Sequence, residues 1–151
     1  MKGRIEIRPV QIDDLREIYL RGREFLAPGR SLFRLDWNET NLADALAVDP
    51  VLSLVALTKK SVAGFLIASL EQEGGLETAT IRWLCADPSG PAGLMDRLLR
   101  EFVSSVGGRH IDKIVIALPE DHAELIEYYR NFGFTESNRF IIMENFSPKQ
   151  S

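Results

Sequence analysis

The sequence has little of what disulfides, metal clusters and membrane spans require. Cys85 is the only cysteine among 151 residues, which excludes an intrachain disulfide and a cysteine-based metal site. A lone cysteine is typical of a reducing cytosol. No run approaches the ~18 apolar residues of a membrane-spanning helix, and the first residues lack the apolar core of a signal peptide. We therefore expect a cytoplasmic protein with no membrane partner and no metal.

Basic residues are too dispersed for a nucleic-acid partner. The formal net charge is −4, and the 18 lysines and arginines are scattered along the chain. Binding to nucleic acid depends on a basic patch that neutralises phosphates, so this class of partner is disfavoured. The chain also lacks the Gly-Lys-Ser/Thr of a nucleotide-binding loop and the complete Gly-x-Gly-x-x-Gly of a dinucleotide fold.

Apolar residues, at 45% of the chain, are sufficient for the core of one domain, which we expect to span residues 1–151. Hydrophobic periodicity and turn residues predict strands and helices in a mixed order. The predicted strands are 5–8, 51–58, 62–70, 77–86, 111–118, 134–135 and 139–144, and the predicted helices are 13–26, 40–48, 94–106 and 121–131. The three central strands form an antiparallel meander, and a helical crossover makes the next strand parallel to its neighbour.

One stretch, Leu84–Leu99, has the order strand, loop and helix that can form an anion site. The first turn of a helix has N–H groups without intrahelical partners, and phosphates bind there readily. Gly90, Ala92 and Gly93 are small enough to let a ligand approach the backbone. A simple turn before a helix fits the same pattern, so this stretch alone leaves both interpretations open.

Three segments of the chain match motifs of a known family. They are residues 86–99, with Ala-Asp-Pro followed by Gly90 and Gly93; residues 128–134, Tyr-Tyr-Arg-Asn-Phe-Gly-Phe; and residues 62–65, Val-Ala-Gly-Phe. The first is similar to the segment V-x-P-x-x-[RQ]-x-x-G-x-[GA] of the GNAT acyltransferase superfamily. The second resembles its Y-x-x-x-G-F ending, and the third resembles the opening of its third strand. With the order of predicted elements, the resemblance covers nearly the whole chain.

The resemblance implies an α+β fold with a mixed, largely antiparallel sheet of six to seven strands flanked by about four helices. It also implies an N-acetyltransferase that moves an acetyl group from acetyl-CoA directly to an amine of a small molecule, peptide or protein. The strands at 80–86 and 111–118 would part, and the pantetheine arm would pair with free backbone groups of Leu84, Cys85 and Ala86. Tyr129 would protonate the departing thiolate.

The predicted pyrophosphate loop departs from the superfamily pattern. Gly90 stands where Arg or Gln is usual, Pro91 removes an N–H donor, Met95 replaces a small residue, and the loop is one residue shorter. His122 falls where an Asn that contacts CoA is common, with a helix cap as its other interpretation. The loss of one charge-assisted contact weakens binding by roughly one to two decades. The predicted contacts in the loop and beyond it are Ser89, Gly90, Ala92, Gly93, Leu94, Met95 and His122.

Two other functions remain open. A catalytically degenerate domain of the same fold would sense CoA or mediate protein contacts. A plain α+β interaction domain, unrelated to acyl transfer, would keep the strands around Ala86 and Ile114 paired without a gap. The acceptor amine and the general base are not identified: Thr80 stands where family members carry an acid on the fourth strand, and Glu77 lies nearby.

Some side chains have competing interpretations. Cys85 is either an acyl-carrying thiolate or a buried apolar residue, and the second is the commoner state of a cysteine. Asp36 and Trp37 either line an acceptor pocket or serve as a cap and a core residue. The resemblance also implies a homodimer through the terminal strands as a common arrangement, while the oligomeric state stays open.

Overall fold

The computed structural model describes residues 4–25, 37–48, 52–59, 61–139, 141 and 143, which contain five strands and four α-helices. The strands are β1 (Ile5–Pro9), β2 (Leu54–Thr58), β3 (Ser61–Glu73), β4 (Leu76–Ala86) and β5 (Lys113–Ile116). The helices are α1 (Leu15–Phe25), α2 (Glu39–Val48), α3 (Leu94–Gly107) and α4 (Ala123–Asn131), with a 3-10 turn at Ile12–Asp14.

The strands form one sheet in the order β1-β2-β3-β4-β5. The first four strands pair antiparallel, and β5 pairs parallel with β4 after the crossover through α3. Gly74 and Gly75, both with positive φ, form the tight turn between β3 and β4, and positive φ at both positions gives the backbone twist that suits a two-residue hairpin. The predicted mixed, largely antiparallel sheet of an α+β fold is confirmed.

The described residues contain five of the six to seven predicted strands. The predicted strand at Phe134–Thr135 is not formed, because the N–H of Phe134 donates to the carbonyl of Tyr129 at 3.1 Å and closes the end of α4. The predicted strand at 139–144 lies largely outside the described residues, as does Asp36.

The chain divides into two compact units, Met1–Ala117 and Leu118–Ser151. The first unit contains the whole sheet with α1, α2 and α3, and the second contains α4. The expectation of a single domain over 1–151 stays a prediction.

Within the first unit, α1 and α2 cover one face of the sheet, here called the α1/α2 face. Side chains from both helices join a buried cluster with inward residues of β2, β3 and β4; its members include Ile18, Phe25, Trp37, Leu42, Val55, Phe65, Ile67, Trp83 and Cys85. The apolar stripe of α3 packs on the same three strands through the opposite face; it consists of Leu94, Leu98, Leu99, Phe102 and Val106. Both faces of the central strands are therefore covered.

Candidate functional site

The strands β4 and β5 pair over only part of the length of β4. Four residue pairs join them, from Thr78 opposite Lys113 to Ile81 opposite Ile116. Strand β4 then continues for five more residues, to Ala86, while β3 remains paired with it throughout. Within the described residues, the edge of β4 beyond Ile81 has no strand partner on the β5 side. A plain interaction domain with β5 paired along the whole of β4 does not have this opening.

A β-bulge lies at the point where β4 and β5 part. Trp83 pairs with Ile67 and Ile81 pairs with Ala68, so Arg82 is an extra residue in β4. A bulge bends its strand and increases the local twist, which turns the end of β4 out of the ladder. This bulge could not be predicted from the sequence, because it is a property of the pairing between strands and not of one strand's composition.

The hydrogen bonds to β3 determine which main-chain groups of β4 face the opening. The N–H of Asp87 donates to the carbonyl of Ala63 at 2.8 Å. In an antiparallel ladder alternate pairs exchange hydrogen bonds, so in this register the main-chain groups of Cys85 also point at β3. The N–H and C=O groups of Leu84 and Ala86 point the other way, to the open edge. These two residues therefore offer the extended backbone that the resemblance assigned to 84–86, whereas Cys85 does not.

Gly64 allows this end of β4 to lie close to β3. It pairs with Ala86, and a Cβ added at Gly64 would lie 2.9 Å from the carbonyl oxygen of Cys85 and 3.2 Å from the Cα of Ala86. Both neighbours are backbone atoms that cannot rotate away. The 62–65 motif thus requires a glycine at position 64 for steric reasons, because a side chain there would collide with the backbone at the edge of the opening.

Asp87 fixes the turn that follows β4. One of its carboxylate oxygens accepts from the N–H of Ser89 at 2.9 Å, and its carbonyl accepts from the N–H of Gly90 at 2.9 Å. The other carboxylate oxygen lies 3.7 Å from a guanidinium nitrogen of Arg21, whose Nε donates to the carbonyl of Val62. The amides of Ser89 and Gly90 are therefore used within the turn, and Ser89 offers a ligand its hydroxyl.

The start of α3 presents a row of main-chain donors. Gly93 occupies the N-cap position of α3 with φ of 76°. Because glycine has no side chain, no side-chain oxygen caps the first N–H groups of the helix from this position. The first hydrogen bond of the helix runs from the N–H of Arg97 to the carbonyl of Gly93 at 3.1 Å. The N–H groups of Ala92, Gly93, Leu94 and Met95 precede this bond, in the part of a helix start where N–H groups have no acceptor within the helix itself. Four consecutive donors at a helix start fit an anionic group.

The residues of this loop differ in exposure. Pro91 and Ala92 are exposed, Met95 is half-buried, and Leu94 is buried. A single short turn joins the open edge of β4 to the start of α3, so the two features are close together in the chain.

Tyr129 lies on α4, in the second unit, and is buried at 3% exposure. Its ring makes edge-on contacts with Tyr128 and Phe134, at centroid distances of 5.2 and 5.4 Å. Gly133 has φ of 96° and turns the chain so that Phe134 folds back on the tyrosine. The Tyr-x-x-x-Gly-Phe motif therefore has a packing role within this unit. The catalytic role of Tyr129 stays a prediction.

His122 is the N-terminal cap of α4. Its Nδ1 accepts a hydrogen bond from the N–H of Leu125 at 3.3 Å, and the side chain is half-buried. The cap interpretation is confirmed, and a contact between His122 and the cofactor stays a prediction.

Two further candidates have structural roles in the core. Cys85 is buried in the apolar cluster, and desolvation by burial raises the pKa of its thiol far above the usual range, which disfavours an acyl-carrying thiolate. The Trp37 ring stacks on Phe65 at 5.3 Å, and its Nε1 donates to the carbonyl of Tyr19 at 3.1 Å. A Cβ on Gly22 would overlap the Trp37 ring, so the helix makes room for this core residue.

Thr80, at the position where family members carry an acid, and the nearby Glu77 lie at different distances from the opening, and the general base stays unidentified. Thr80 is half-buried and one residue before the last β4–β5 pair. Glu77 lies four residues before that pair, roughly 13 Å along the strand, and accepts from the side-chain amide of Gln72. No cluster of metal-ligating side chains occurs in the part of the chain that the structure describes, and no helix there is long and apolar enough to cross a membrane.

Several solved structures share this architecture at low sequence identity. The chain is similar to the ribosomal-protein-S18-alanine N-acetyltransferase from Escherichia coli, with a TM-score of 0.74 and 20% identity over 89% of this chain and 80% of that one. It is similar to Arabidopsis thaliana Naa50 in complex with the bisubstrate analogue CoA-Ac-MVNAL, with a TM-score of 0.69 and 20% identity over 89% and 85% of the two chains. It is also similar to an aminoglycoside N-acetyltransferase in complex with CoA, with a TM-score of 0.70 and 17% identity over 96% of this chain and 97% of that one. No family model and no curated protein matches the sequence.

The parted strands, the donor row and these neighbours define a class of fold, that of the α+β acyltransferases. Within this class the chain has the GNAT fold, and the resemblance stated from its motifs is confirmed at that level.

Proposed function

We propose that this protein is an acetyl-CoA-dependent N-acetyltransferase that transfers the acetyl group directly to an amine. The observation that carries the proposal is the open edge of β4, where Leu84 and Ala86 present unpaired main-chain groups next to the donor row of α3. The neighbours support it, because one is an aminoglycoside N-acetyltransferase in complex with CoA and another, Arabidopsis thaliana Naa50, is in complex with a CoA bisubstrate analogue.

The residues of the opening have separate tasks in this proposal. Leu84 and Ala86 pair with the amide groups of the pantetheine arm, as an added strand would. The N–H groups of Ala92 to Met95 bind the pyrophosphate, with the hydroxyl of Ser89 as a further donor. Acetyl-CoA supplies an activated thioester, so no metal and no enzyme-bound acyl group are needed. The high pKa of Cys85 agrees with direct transfer.

Tyr129 is the residue we propose as general acid, on the strength of the Tyr-x-x-x-Gly-Phe motif. Its phenolic oxygen would give a proton to the sulfur as the carbon–sulfur bond breaks and the carbon–nitrogen bond forms. The amine would lose its proton to solvent or to a side chain on the acceptor side. A phenol is a weak acid, so it remains protonated at neutral pH until the thiolate departs.

Binding and turnover together test the proposal. Calorimetry with acetyl-CoA and CoA should show saturable binding, and a thiol-release assay with a panel of amines should show acetyl-dependent turnover. Absence of binding at millimolar ligand would reject the proposal. Binding without turnover of any amine would reject the enzymatic part and leave a CoA-binding domain.

Tyr129→Phe tests the general acid. The substitution removes only a hydroxyl, so kcat should fall by roughly 100-fold or more while the affinity for CoA changes little. Tyr128→Phe is the matched control, because Tyr128 is the neighbouring phenol on the same helix. Equal kcat values for the wild type and Tyr129→Phe would remove Tyr129 from the mechanism.

A further inference from the structure

The α1/α2 face of the sheet carries a group of polar side chains directly before the bulge. Ser69 pairs with Thr80 across β3 and β4, and Thr78 is two residues further from the bulge. Alternation along β3 puts Ser69 on the same face as Ile67, and the register puts Thr78 and Thr80 there too. We call these three residues, Ser69, Thr78 and Thr80, the hydroxyl patch.

Two residues of the hydroxyl patch are buried, and one of them lacks a hydrogen-bond partner. Ser69 and Thr78 are each only 8% exposed. The Oγ of Ser69 has no hydrogen-bond partner, and it is the one buried side-chain polar atom in this state among the described residues. A buried hydroxyl without a partner costs free energy, so a group that bonds it on binding recovers that cost. Ser53, which is also buried, shows the usual state of a buried hydroxyl: it bonds both the N–H and the C=O of Ala68.

Arg82, the extra residue of the bulge, adds a positive charge beside this patch. Its side chain is half-buried, and its guanidinium carbon lies 5.0 Å from the centroid of the Trp83 ring. Trp83 belongs to the buried cluster of the α1/α2 face, so the guanidinium is on that face. No carboxylate within the described residues pairs with it. Glu71, on the same face, is opposite Thr78 and roughly 13 Å along the strand from the bulge.

We propose that Arg82 and the hydroxyl patch bind the carboxylate of the acceptor, so that the substrates are amines that also carry a free carboxylate, such as amino acids. This proposal rests on the proposed function. A guanidinium offers paired donors that match a carboxylate, and the Ser69 hydroxyl supplies another donor. The bulge lies two residues from Leu84, on the edge where β4 is open. A carboxylate held at Arg82 therefore keeps the amine of a small acceptor beside that edge.

The test compares acids with their amides as acceptors. Each amino acid of a panel is assayed beside its carboxamide in the thiol-release assay, at a pH where the amines have the same fraction unprotonated. The wild type should prefer the acid by roughly 10- to 100-fold in kcat/KM, the effect of one charge-assisted pair. Equal use of acids and amides by the wild type would overturn the proposal.

Substitutions assign the preference to Arg82. Arg82→Gln should reduce the acid-to-amide ratio to near one with unchanged CoA affinity, and Arg82→Lys should restore part of it. Arg4→Gln is the matched control, since Arg4 is exposed beside β1 at the opposite edge of the sheet. A purely structural role, by stacking on Trp83, would lower activity with both acceptors equally and leave the ratio unchanged, which would also overturn the proposal.

Ser69→Ala provides a second test that does not depend on the folding of the Arg82 variants. Removal of an unpartnered buried hydroxyl should leave stability unchanged or higher, while KM for the acid rises several-fold and KM for the amide does not. An equal KM for the acid in both proteins would remove Ser69 from the subsite and overturn that part. Failure of CoA binding or of all turnover would instead reject the proposed function itself.

Discussion

Ser53 holds β3 in place opposite the bulge, and its loss is expected to destabilise the fold measurably. Strand β2 begins at Leu54, opposite Leu66, so no strand residue of β2 reaches Ala68. The Ser53 hydroxyl takes that place: it accepts from the N–H of Ala68 at 3.0 Å and donates to its carbonyl at 3.3 Å. Ser53 is fully buried and Ala68 is 1% exposed, so water does not replace these bonds.

The expected magnitude follows from these two bonds. Ser53→Ala leaves one N–H and one C=O of Ala68 buried without partners, at about 1–3 kcal/mol for each group. Partial relaxation of the backbone reduces the sum, so we expect a loss of about 2–4 kcal/mol in the free energy of unfolding. At about 2–4 °C per kcal/mol for a chain of this length, the melting temperature falls by roughly 5–15 °C.

Urea and thermal unfolding measure this loss, with Ser69→Ala as the matched control. Both substitutions remove a buried serine hydroxyl, one next to β3 and one on it, but only Ser53 bonds backbone groups. The midpoint should fall for Ser53→Ala with an unchanged denaturant slope, and it should not fall for Ser69→Ala. Equal losses for the two variants would refute the reasoning, because a hydroxyl with hydrogen-bond partners and one without would then contribute equally to stability.

Two further predictions concern the edge of the opening and the start of the chain. Gly64→Ala places a Cβ 2.9 Å from the Cys85 carbonyl oxygen, so the free energy of unfolding should fall by about 1–3 kcal/mol and calorimetry should show weaker CoA binding. Gly107→Ala is the control: the space around its Cβ is open, so it should show neither effect. The hydrogen bonds from Arg8 hold the pKa of Asp14 below its ordinary value of 3.8, so their stabilisation is present above that pH and is lost as the pH falls through the depressed pKa. Asp14→Asn should therefore cost about 1 kcal/mol at pH 7 by urea unfolding and progressively less below pH 4; a constant difference would contradict this assignment.

Local signals were sufficient for most elements of the fold. The glycine pair at 74–75, the apolar stripe that starts at Leu94 and the break after β4 each depend on residues close in the sequence, so periodicity and turn chemistry predicted them. The donor row at α3 was predicted for the same reason. The helix cap at His122 was one of two interpretations, and the structure decides it because the Leu125 amide lies within bonding distance.

The pairing between strands could not be predicted in the same way. Ala79, Ile81, Trp83 and Cys85 are buried at every second position of β4, which in the sequence suggests one inward face. The register shows that Ile81 and Trp83 lie on opposite faces, because an extra residue separates them. Because both faces of the sheet are covered, apolar residues are required on each face. The alternation of buried and less buried residues therefore continues unchanged across the bulge. The subsite candidates Arg82 and Ser69 were missed for this reason.

The extra residue also makes the length of β4 as constrained as its composition. Odd-numbered positions after Arg82 and even-numbered positions before it belong to the same layer, so the parity of the strand changes at one point. A replacement at 82 keeps every other side chain in its layer. A deletion there would restore simple parity and exchange the two layers along one half of the strand, placing threonines under α3 and isoleucine among the aromatic rings. Homologous chains are thus expected to vary at this position by replacement, with the residue count between Thr80 and Trp83 preserved.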